Sequence, residues 1–470
     1  GEVAHHRGGG DLPAQRARGL DPGVDVEGHV VDEGAVEVEE HGADGGAHGA
    51  ETIHTDGQVV VDRGGGARTL RGVKILSFSY EDLASGWTLE TATFEAMNLL
   101  VGASGVGKTQ VVENLRAVVT VALLDNATLP RAKWVLRYED GDRRWRWEAE
   151  TGVEEVDSGL PGLMVANTVF VSESLEDEQS GKAVFKRAGK SVELLGAEAP
   201  EVPAGRSLFG SFTAEAVREG RDALRSVLFS VYSGRDTPQV GVPVQLAGLA
   251  PAQVNDMISE GRKSPSLVPG YFHHISVQLT SSRLRHPQGR HVGYQLPWYL
   301  AQETNAPEFD ALRAKFCEVF PSVEDLRIRR SDDGDRALLH LEIRERGVPH
   351  WIDQSSISAG MLRTLIHLHE FLFAPAGTVI VIDEFENSLG VNCLPVLTEL
   401  MLERTDCQFI VTSHHPYVIG NIPMSTWRVV QRHGSVVRLL PAQEVPRLRG
   451  GSRLDAFTRL LNALQSDDAA

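Results

Sequence analysis

The chain has only three cysteines in 470 residues, Cys317, Cys393 and Cys407. They have neither zinc-type spacing nor the count of a disulfide framework, and a reducing cytoplasm is the compartment they lead us to expect. No apolar run approaches the roughly 20 residues that a membrane helix needs, and no charged n-region leads into an apolar h-region. Any membrane contact would therefore fall to a partner. Positive charge is scarce as well: 46 Lys and Arg stand against 64 Asp and Glu, a net charge of −18. With no long basic run, extensive sequence-independent nucleic-acid binding is not expected. Two short clusters remain as local basic faces, Arg283, Arg285 and Arg290 in one, Arg327, Arg329 and Arg330 in the other. Solvated surface is the ordinary reading of such clusters and nucleic-acid contact the sharper one.

Residues 1–72 lack even more. They contain no Phe, Trp, Tyr, Met or Lys, yet hold 17 of the 47 glycines and 6 of the 17 histidines. A segment of this composition cannot bury a core and is expected to be disordered. Two origins fit it, a genuine acidic Gly/His-rich tail or upstream sequence joined to the protein. The abrupt start of a domain-like pattern at Val73-Lys-Ile-Leu-Ser-Phe-Ser-Tyr80 favours the second, with Val73 as an alternative start. The irregular spacing of the six histidines speaks against a metal-binding tract.

Against these absences stands one dense motif, Gly102-Ala103-Ser104-Gly105-Val106-Gly107-Lys108-Thr109. It follows the apolar strand-like run Met97–Val101 and opens a helix-like run from Gln110. The strand, glycine-rich loop and helix together form a P-loop. The glycines let backbone N–H groups wrap a phosphate, and the helix N-terminus adds its dipole. Residues 102–110, Gln110 included, are the expected nucleotide-binding stretch. Lys108 would reach the β- and γ-phosphates and the Thr109 hydroxyl would ligate Mg²⁺.

A second apolar β-branched run, Thr378–Ile382, reads as a buried parallel strand and ends in Asp383-Glu384. Beside a P-loop, Asp383 can support Mg²⁺ and Glu384 can polarise an attacking water as general base. Two further segments are Ser355-Ser-Ile-Ser358-Ala359-Gly360, before the acidic strand, and Val411-Thr-Ser-His414-His-Pro416, after the strand-like Gln408–Val411. The first resembles the signature motif of the ABC ATPase superfamily and the second its switch-histidine loop. The order of P-loop, signature, Asp-Glu strand and switch histidine is the superfamily's order. The resemblance covers roughly residues 73–440, although only the motifs are specific. Within the superfamily, Asp383-Glu-Phe-Glu-Asn and Ser413-His-His-Pro resemble the ATPase heads of the overcoming-lysogeny-defect (OLD) family and its stand-alone, SMC-like relatives, which are often associated with phage defence or DNA maintenance.

The resemblance implies an α/β P-loop NTPase fold, an ABC-type two-lobe head with a mixed central sheet, an antiparallel β subdomain and a helical insertion. It implies ATP and Mg²⁺ as ligands, with Lys108, Glu384 and His414 as catalytic residues and Thr109 and Asp383 on the metal. His414 would sense the γ-phosphate, with His415 its immediate competitor. Ser358, Ala359 and Gly360 would touch the nucleotide of a second subunit, so that ATP closes a homodimer. Two departures stand out. Ala359 replaces the usual second glycine of the signature, and no glutamine-loop residue is evident beyond Gln179, a candidate on order alone. An ordinary helix N-cap turn also explains Ser358–Gly360.

Five segments are expected: an N-terminal extension (1–72), a P-loop lobe with antiparallel strands (73–174), an inserted, mostly helical subdomain (175–335), a lobe carrying signature, acidic strand and switch (336–445), and a C-terminal helix and tail (446–470). Asp140-Gly141 between Trp134–Tyr138 and Trp145–Trp147 signals a hairpin. Its tryptophans read as core or cross-strand pairs rather than base-stacking platforms. Lys108 and Ser358 are 250 residues apart, which requires the insertion. Ala214–Val231 and Glu308–Phe320 read as its helices, and the lack of a heptad run excludes a long coiled coil. His367 and His369, two apart on the helix Met361–Leu372, read as packing or surface residues. An amphipathic helix follows Ser452 and would dock on its own domain or on a partner.

The function expected is ATP hydrolysis that drives head dimerisation as a switch for a separate effector. An OLD-like nuclease is a lesser alternative, because the 54 residues after Pro416 are too few for a Toprim domain and hold no Asp-x-Asp pair. A transporter ATPase subunit is another, opposed by the long insertion.

Overall fold

Alternating burial along Val73–Asp82 forms strand β1, and the turn at Trp87 returns the chain as β2 (Thr88–Thr93) before the continuous apolar run of β3 (Met97–Val101). The computed structural model describes residues 72–124, 127–157, 164–230, 244–245, 294–333 and 336–448, with single positions at 255, 258, 259, 262, 455 and 458. All of these lie in one compact unit, residues 55–470. The expectations for residues 1–71, for Arg283, Arg285 and Arg290, and for most of the helix after Ser452 lie outside the described residues.

After β3 come helix α1 (Lys108–Leu123) and the strands β4 (Ala132–Asp140), β5 (Arg143–Asp157), β6 (Met164–Asp177), β7 (Lys182–Ala188), β8 (Ser191–Leu194) and β9 (Ala197–Glu198). Helices α2 (Leu208–Ser211) and α3 (Glu215–Leu224) lead to β10 (Val227–Ser230) and β11 (Val244–Gln245). Helices α4 (Gln295–Thr304) and α5 (Pro307–Val319) precede β12 (Val323–Asp333), β13 (Arg336–Glu345) and β14 (Ile352–Asp353). The final stretch holds α6 (Ala359–Phe373), β15 (Val379–Ile382), α7 (Cys393–Glu403), β16 (Gln408–Thr412), α8 (Pro416–Asn421), β17 (Trp427–His433) and β18 (Val436–Pro441).

One large sheet runs β10-β15-β16-β3-β17-β18-β2-β1-β4-β5-β6-β7-β8-β9. Its first part, β10 through β17, is parallel throughout. From β1 outward the pairs β1–β4, β4–β5, β5–β6 and β6–β7 are antiparallel. The parallel strands are apolar on both faces, as helix-covered strands must be. Leu99, Val101, Ile380, Ile382, Phe409 and Val411 enter the core that contains residues of α4–α7, whereas Leu100, Val379, Val381 and Ile410 enter the core shared with α1, α3 and the antiparallel strands. A parallel sheet with helices on both faces and a P-loop after one of its inner strands is the P-loop NTPase fold.

The side chain of Gln408 ties the two parts together. Its Oε1 accepts from the Ile75 N–H at 2.7 Å, and its Nε2 donates to the carbonyls of Ile75 at 2.9 Å and Glu95 at 2.8 Å. These bonds satisfy backbone groups where β1 changes register against β4.

Several sequence expectations change here. The expected boundary at 174/175 cuts β6, because the antiparallel wing continues to β9 before any helix begins. The described residues of the segment 175–335 are therefore strand and helix in turn. The helix expected over 214–231 ends at Leu224, and Val227–Ser230 pairs in parallel with β15 as the edge of the core sheet. A run of four residues after a helix is too short for periodicity to separate strand from helix. The hairpin at Asp140-Gly141 forms as expected, with Gly141 at φ 61°. Trp134, Trp145 and Trp147 are buried, and Trp147 packs edge-on to Trp134 and to Phe209. His367 and His369 are buried packing residues: His367 bonds Glu370, and His369 accepts from the Trp298 indole at 3.1 Å. Arg327 and Arg329 both pair with Glu342, and Arg330 with Asp332, so two carboxylates of its own sheet offset most of this cluster's charge. No helix among the described residues is long and apolar enough to cross a membrane.

Candidate nucleotide site

The P-loop geometry follows from its glycines. Gly102 leaves β3 so close to β17 that a Cβ there would stand 2.8 Å from the Val430 carbonyl oxygen. Gly105 and Gly107 take φ of 83° and 102°, a region that strains other residues. Gly107 is also the N-cap of α1, and a Cβ on it would meet Val437 and the buried Trp87 ring. The loop is thus shaped by β17, β18 and the β1–β2 turn, and it delivers Lys108 and Thr109 to the first turn of α1.

Lys108 Nζ donates to the Gly102 and Ala103 carbonyls, each at 2.9 Å. Burial pulls its ammonium below the usual lysine range, and the charges of Asp383, Glu386 and Glu384 oppose that pull in decreasing order. Three acids that are distant in sequence therefore converge on the P-loop lysine.

They reach it from β15, which lies two strands away with β16 between. Thr412, the last residue of β16, spans the gap. Its hydroxyl donates to Asp383 Oδ1 at 2.6 Å and accepts the Glu384 N–H at 2.7 Å. Thr109 Oγ1 donates to the same Asp383 oxygen at 3.3 Å. A continuous chain of hydrogen bonds thus runs from the P-loop helix through Asp383 and Thr412 to Glu384. Asp383 is nearly buried. Glu384 is exposed, at a left-handed φ of 49°, with its Oε2 accepting from Asn387 Nδ2 at 3.1 Å. Such a backbone conformation costs a non-glycine residue about 1 kcal/mol or more and clusters at functional sites.

Thr109 and Asp383 supply hard oxygen donors of the kind Mg²⁺ takes, one hydroxyl and one carboxylate. No group of three or more His, Cys, Asp or Glu able to hold a metal occurs among the described residues. This donor set fits an ion that draws its remaining ligands from phosphates and water.

The switch loop enters from the end of β16. The His414 N–H and Nδ1 both reach Glu386 Oε1, at 2.7 and 2.8 Å. His415, its sequence competitor, instead caps α8, its Nδ1 accepting the Tyr417 N–H. Ser358 caps α6, its Oγ accepting the Met361 N–H at 3.2 Å. A Cβ on Gly360 would stand 3.0 Å from the Ser388 carbonyl oxygen, so the signature turn abuts the segment after Glu384. No hydrogen bond among the described residues joins Ser358–Gly360 to residues 102–110 of the same chain. Gln179 stands exposed in the β6–β7 turn, its N–H donating to Asp177. That turn lies on the antiparallel wing, several strands from β3, and sequence order alone could not place it.

Three residues escaped the sequence reading. Thr412 directly precedes the Ser-His pair, which could have marked it. Glu386 is the second acid of the Asp-Glu-x-Glu pattern. Trp87 carries no local motif, and only the folded loop shows its contact with Gly107.

Residues 251–420 match a protein-family model described as "AAA domain, putative AbiEii toxin, Type IV TA system". No curated protein matches the chain. Similar solved structures include an Smc head bound to the C-winged helix domain of ScpA, at 12% identity and TM-score 0.41 over 79% of this chain and 99% of that one. An Smc head domain with an extended coiled coil, bound to the C-terminal domain of ScpA derived from Pyrococcus furiosus, aligns at 13% identity and TM-score 0.39 over 79% and 98%. The SMC head domain from Thermotoga maritima aligns at 11% identity and TM-score 0.33 over 78% and 98%. The topology and the P-loop described above, rather than these likenesses, carry the assignment of a P-loop NTPase fold.

Proposed function

We propose that the protein binds Mg·ATP and hydrolyses it to ADP and phosphate, and that ATP-dependent pairing of two copies acts as a switch on a separate effector. The observation that carries this reading is the bonded chain Thr109–Asp383–Thr412–Glu384 beside Lys108. It fastens a phosphate-binding loop to an exposed carboxylate at the tip of the acidic strand.

The P-loop amides and Lys108 bind and orient the triphosphate. Thr109 and Asp383 would hold Mg²⁺, which supplies charge neutralisation when bound. Glu384, kept outward by its backbone conformation and by Asn387, orients a water for in-line attack and accepts its proton. Thr412 holds Asp383 and Glu384 at a fixed separation, so little reorganisation is needed at the moment of reaction. His414, held at Glu386, would sense the terminal phosphate. Ser358, exposed at the N-terminus of α6, faces outward and suits contact with a nucleotide held by a second copy. The two nucleotide states would differ in how well the copies pair, and that difference is the output. A role in defence or DNA maintenance rests on the motif resemblance alone.

Full-length protein carrying Glu384→Gln, weighed by light scattering with and without Mg·ATP, tests the reading. Doubling of mass with ATP alone supports a shared site that includes Ser358. An unchanged mass with ATP demonstrably bound removes the shared site, and absence of ATP binding by the wild type removes the whole reading.

A further inference from the structure

Two residues beyond Glu384 the chain buries a second carboxylate for which the reaction above has no use. The Glu386 side chain is 8% exposed, and one of its oxygens, Oε1, accepts the His414 peptide N–H at 2.7 Å and lies 2.8 Å from the ring Nδ1 in an ion-pair contact. Its other oxygen, Oε2, is buried with no hydrogen-bond partner among the described residues. The imidazole it holds is itself 66% exposed. A half-satisfied buried carboxylate is costly, and a surface imidazole left to itself would sample several rotamers and both tautomers.

The chemistry of the contact is one-directional. At 2.8 Å an Nδ1 lone pair would repel the carboxylate oxygen, so the ring nitrogen facing it carries the proton. In a neutral imidazole the remaining nitrogen, Nε2, then holds a lone pair. Because Glu386 also grips the peptide N–H of the same residue, backbone and ring are fixed together, with Nε2 the one ring nitrogen left for another partner.

We infer that Glu386 is the positioning residue of the switch histidine: it locks His414 in the Nδ1–H form so that Nε2 accepts a hydrogen bond from the water attacking the terminal phosphate. His414 then reads the nucleotide through that water rather than through a phosphate oxygen, which would need a donor. Glu384 remains the residue that takes the proton. Only the consequence for turnover rests on the ATPase reading, because the ring's tautomer is a property of the nucleotide-free protein.

The test uses the full chain labelled with ¹⁵N-histidine, the His414→Ala spectrum assigning the resonances of that ring. The wild type is expected to show the Nδ1–H pattern. Glu386→Ala should move His414 toward the Nε2–H form that free imidazole favours, and Glu386→Gln, whose amide oxygen can take the place of Oε1 beside Nδ1, should retain the wild-type pattern. An Nε2–H ring in the wild type, or a ring indifferent to Glu386→Ala, overturns the inference. In ATP hydrolysis, Glu386→Ala should lower kcat by about tenfold to a hundredfold, the usual scale for removing a group that orients a functional imidazole. The Glu386→Ala/His414→Ala pair should be no slower than His414→Ala alone, and losses that multiply would overturn the positioning role. A wild type that does not hydrolyse ATP sinks the proposed function, while the ring spectra still decide the tautomer.

Discussion

The parallel core and the antiparallel wing belong to one sheet, and both bury carboxylates, but they treat them differently. In the wing, Glu173 is enclosed and each oxygen has a partner: Ser207 Oγ donates to one at 2.6 Å and the Leu208 N–H to the other at 2.9 Å. Its cross-strand neighbour Arg187 is equally buried. The Glu173 carboxylate therefore caps α2 and joins strand to helix. At the tips of the parallel strands, Asp383 shares one oxygen between two threonine hydroxyls, Glu386 leaves one oxygen unmatched, and Glu384 faces solvent. Parallel strands end together on one side, and that edge is where α/β proteins gather ligand-binding groups. Antiparallel strands alternate direction and scatter their ends. The same residue type thus serves structure in one region and stands ready for chemistry in the other.

The largest test of this contrast is Glu384→Gln. Loss of a general base typically costs about 10²–10⁴ in rate, so kcat should fall by that factor while ATP affinity and thermal stability stay near wild type. Unchanged turnover in purified protein would remove Glu384 from the base role and leave the core edge without its distinguishing chemistry. Trp147→Ala should do the opposite. It empties the centre of the wing, where Trp147 contacts Trp134 and Phe209, and removal of a buried tryptophan costs about 3–5 kcal/mol. Denaturant unfolding should record that loss, while turnover per folded molecule stays within about twofold, because distant sites act independently. A large fall in the kcat of the folded fraction would mean that wing and site are coupled.

The same division governs how much was legible in the sequence. The P-loop, the apolar strand ending in Asp383-Glu384 and the wing hairpin at Gly141 are contiguous patterns whose meaning is local, and they could be read directly. What closes the site is not local. Thr109 meets Asp383 across 274 residues, and Gln408 meets Ile75 across 333. Thr412 looks like any strand-end threonine until β16 is seen to lie between β15 and β3. The wing hid its own extent for a related reason: β7, β8 and β9 shorten progressively toward the sheet edge, and short strands carry too few residues for a period to show. The four residues of β10 were lost in the same way behind the helix that precedes them.

The smallest test concerns the charge enclosed in the wing. Burial pushes the Glu173 carboxyl up from 4.5 to about 7, against the opposing hydrogen bonds from Ser207 and Leu208 and the charge of Arg187. A carboxyl whose folded value is raised contributes its full stability below its unfolded value, near pH 4.5, and loses it as pH rises through 7. Over that window the loss amounts to about 3–4 kcal/mol at most, taking about 1.4 kcal/mol per unit. The wild type should therefore unfold more readily at pH 8 than at pH 5, and Glu173→Gln should lose most of that slope. The absolute stability of the variant is a poorer guide, because removing the carboxylate leaves the buried Arg187 guanidinium without its neighbouring charge. Melting curves of both proteins across pH 5–8 give the slopes directly. Parallel slopes would mean that Glu173 stays ionised throughout and that Arg187 fully compensates it, a buried ion pair more like a functional site than a structural cap. Turnover measured over the same range should not follow the Glu173 slope, since the hydrogen-bond partners of Glu173 are Ser207 and Leu208, neither of them a residue proposed to act on the nucleotide.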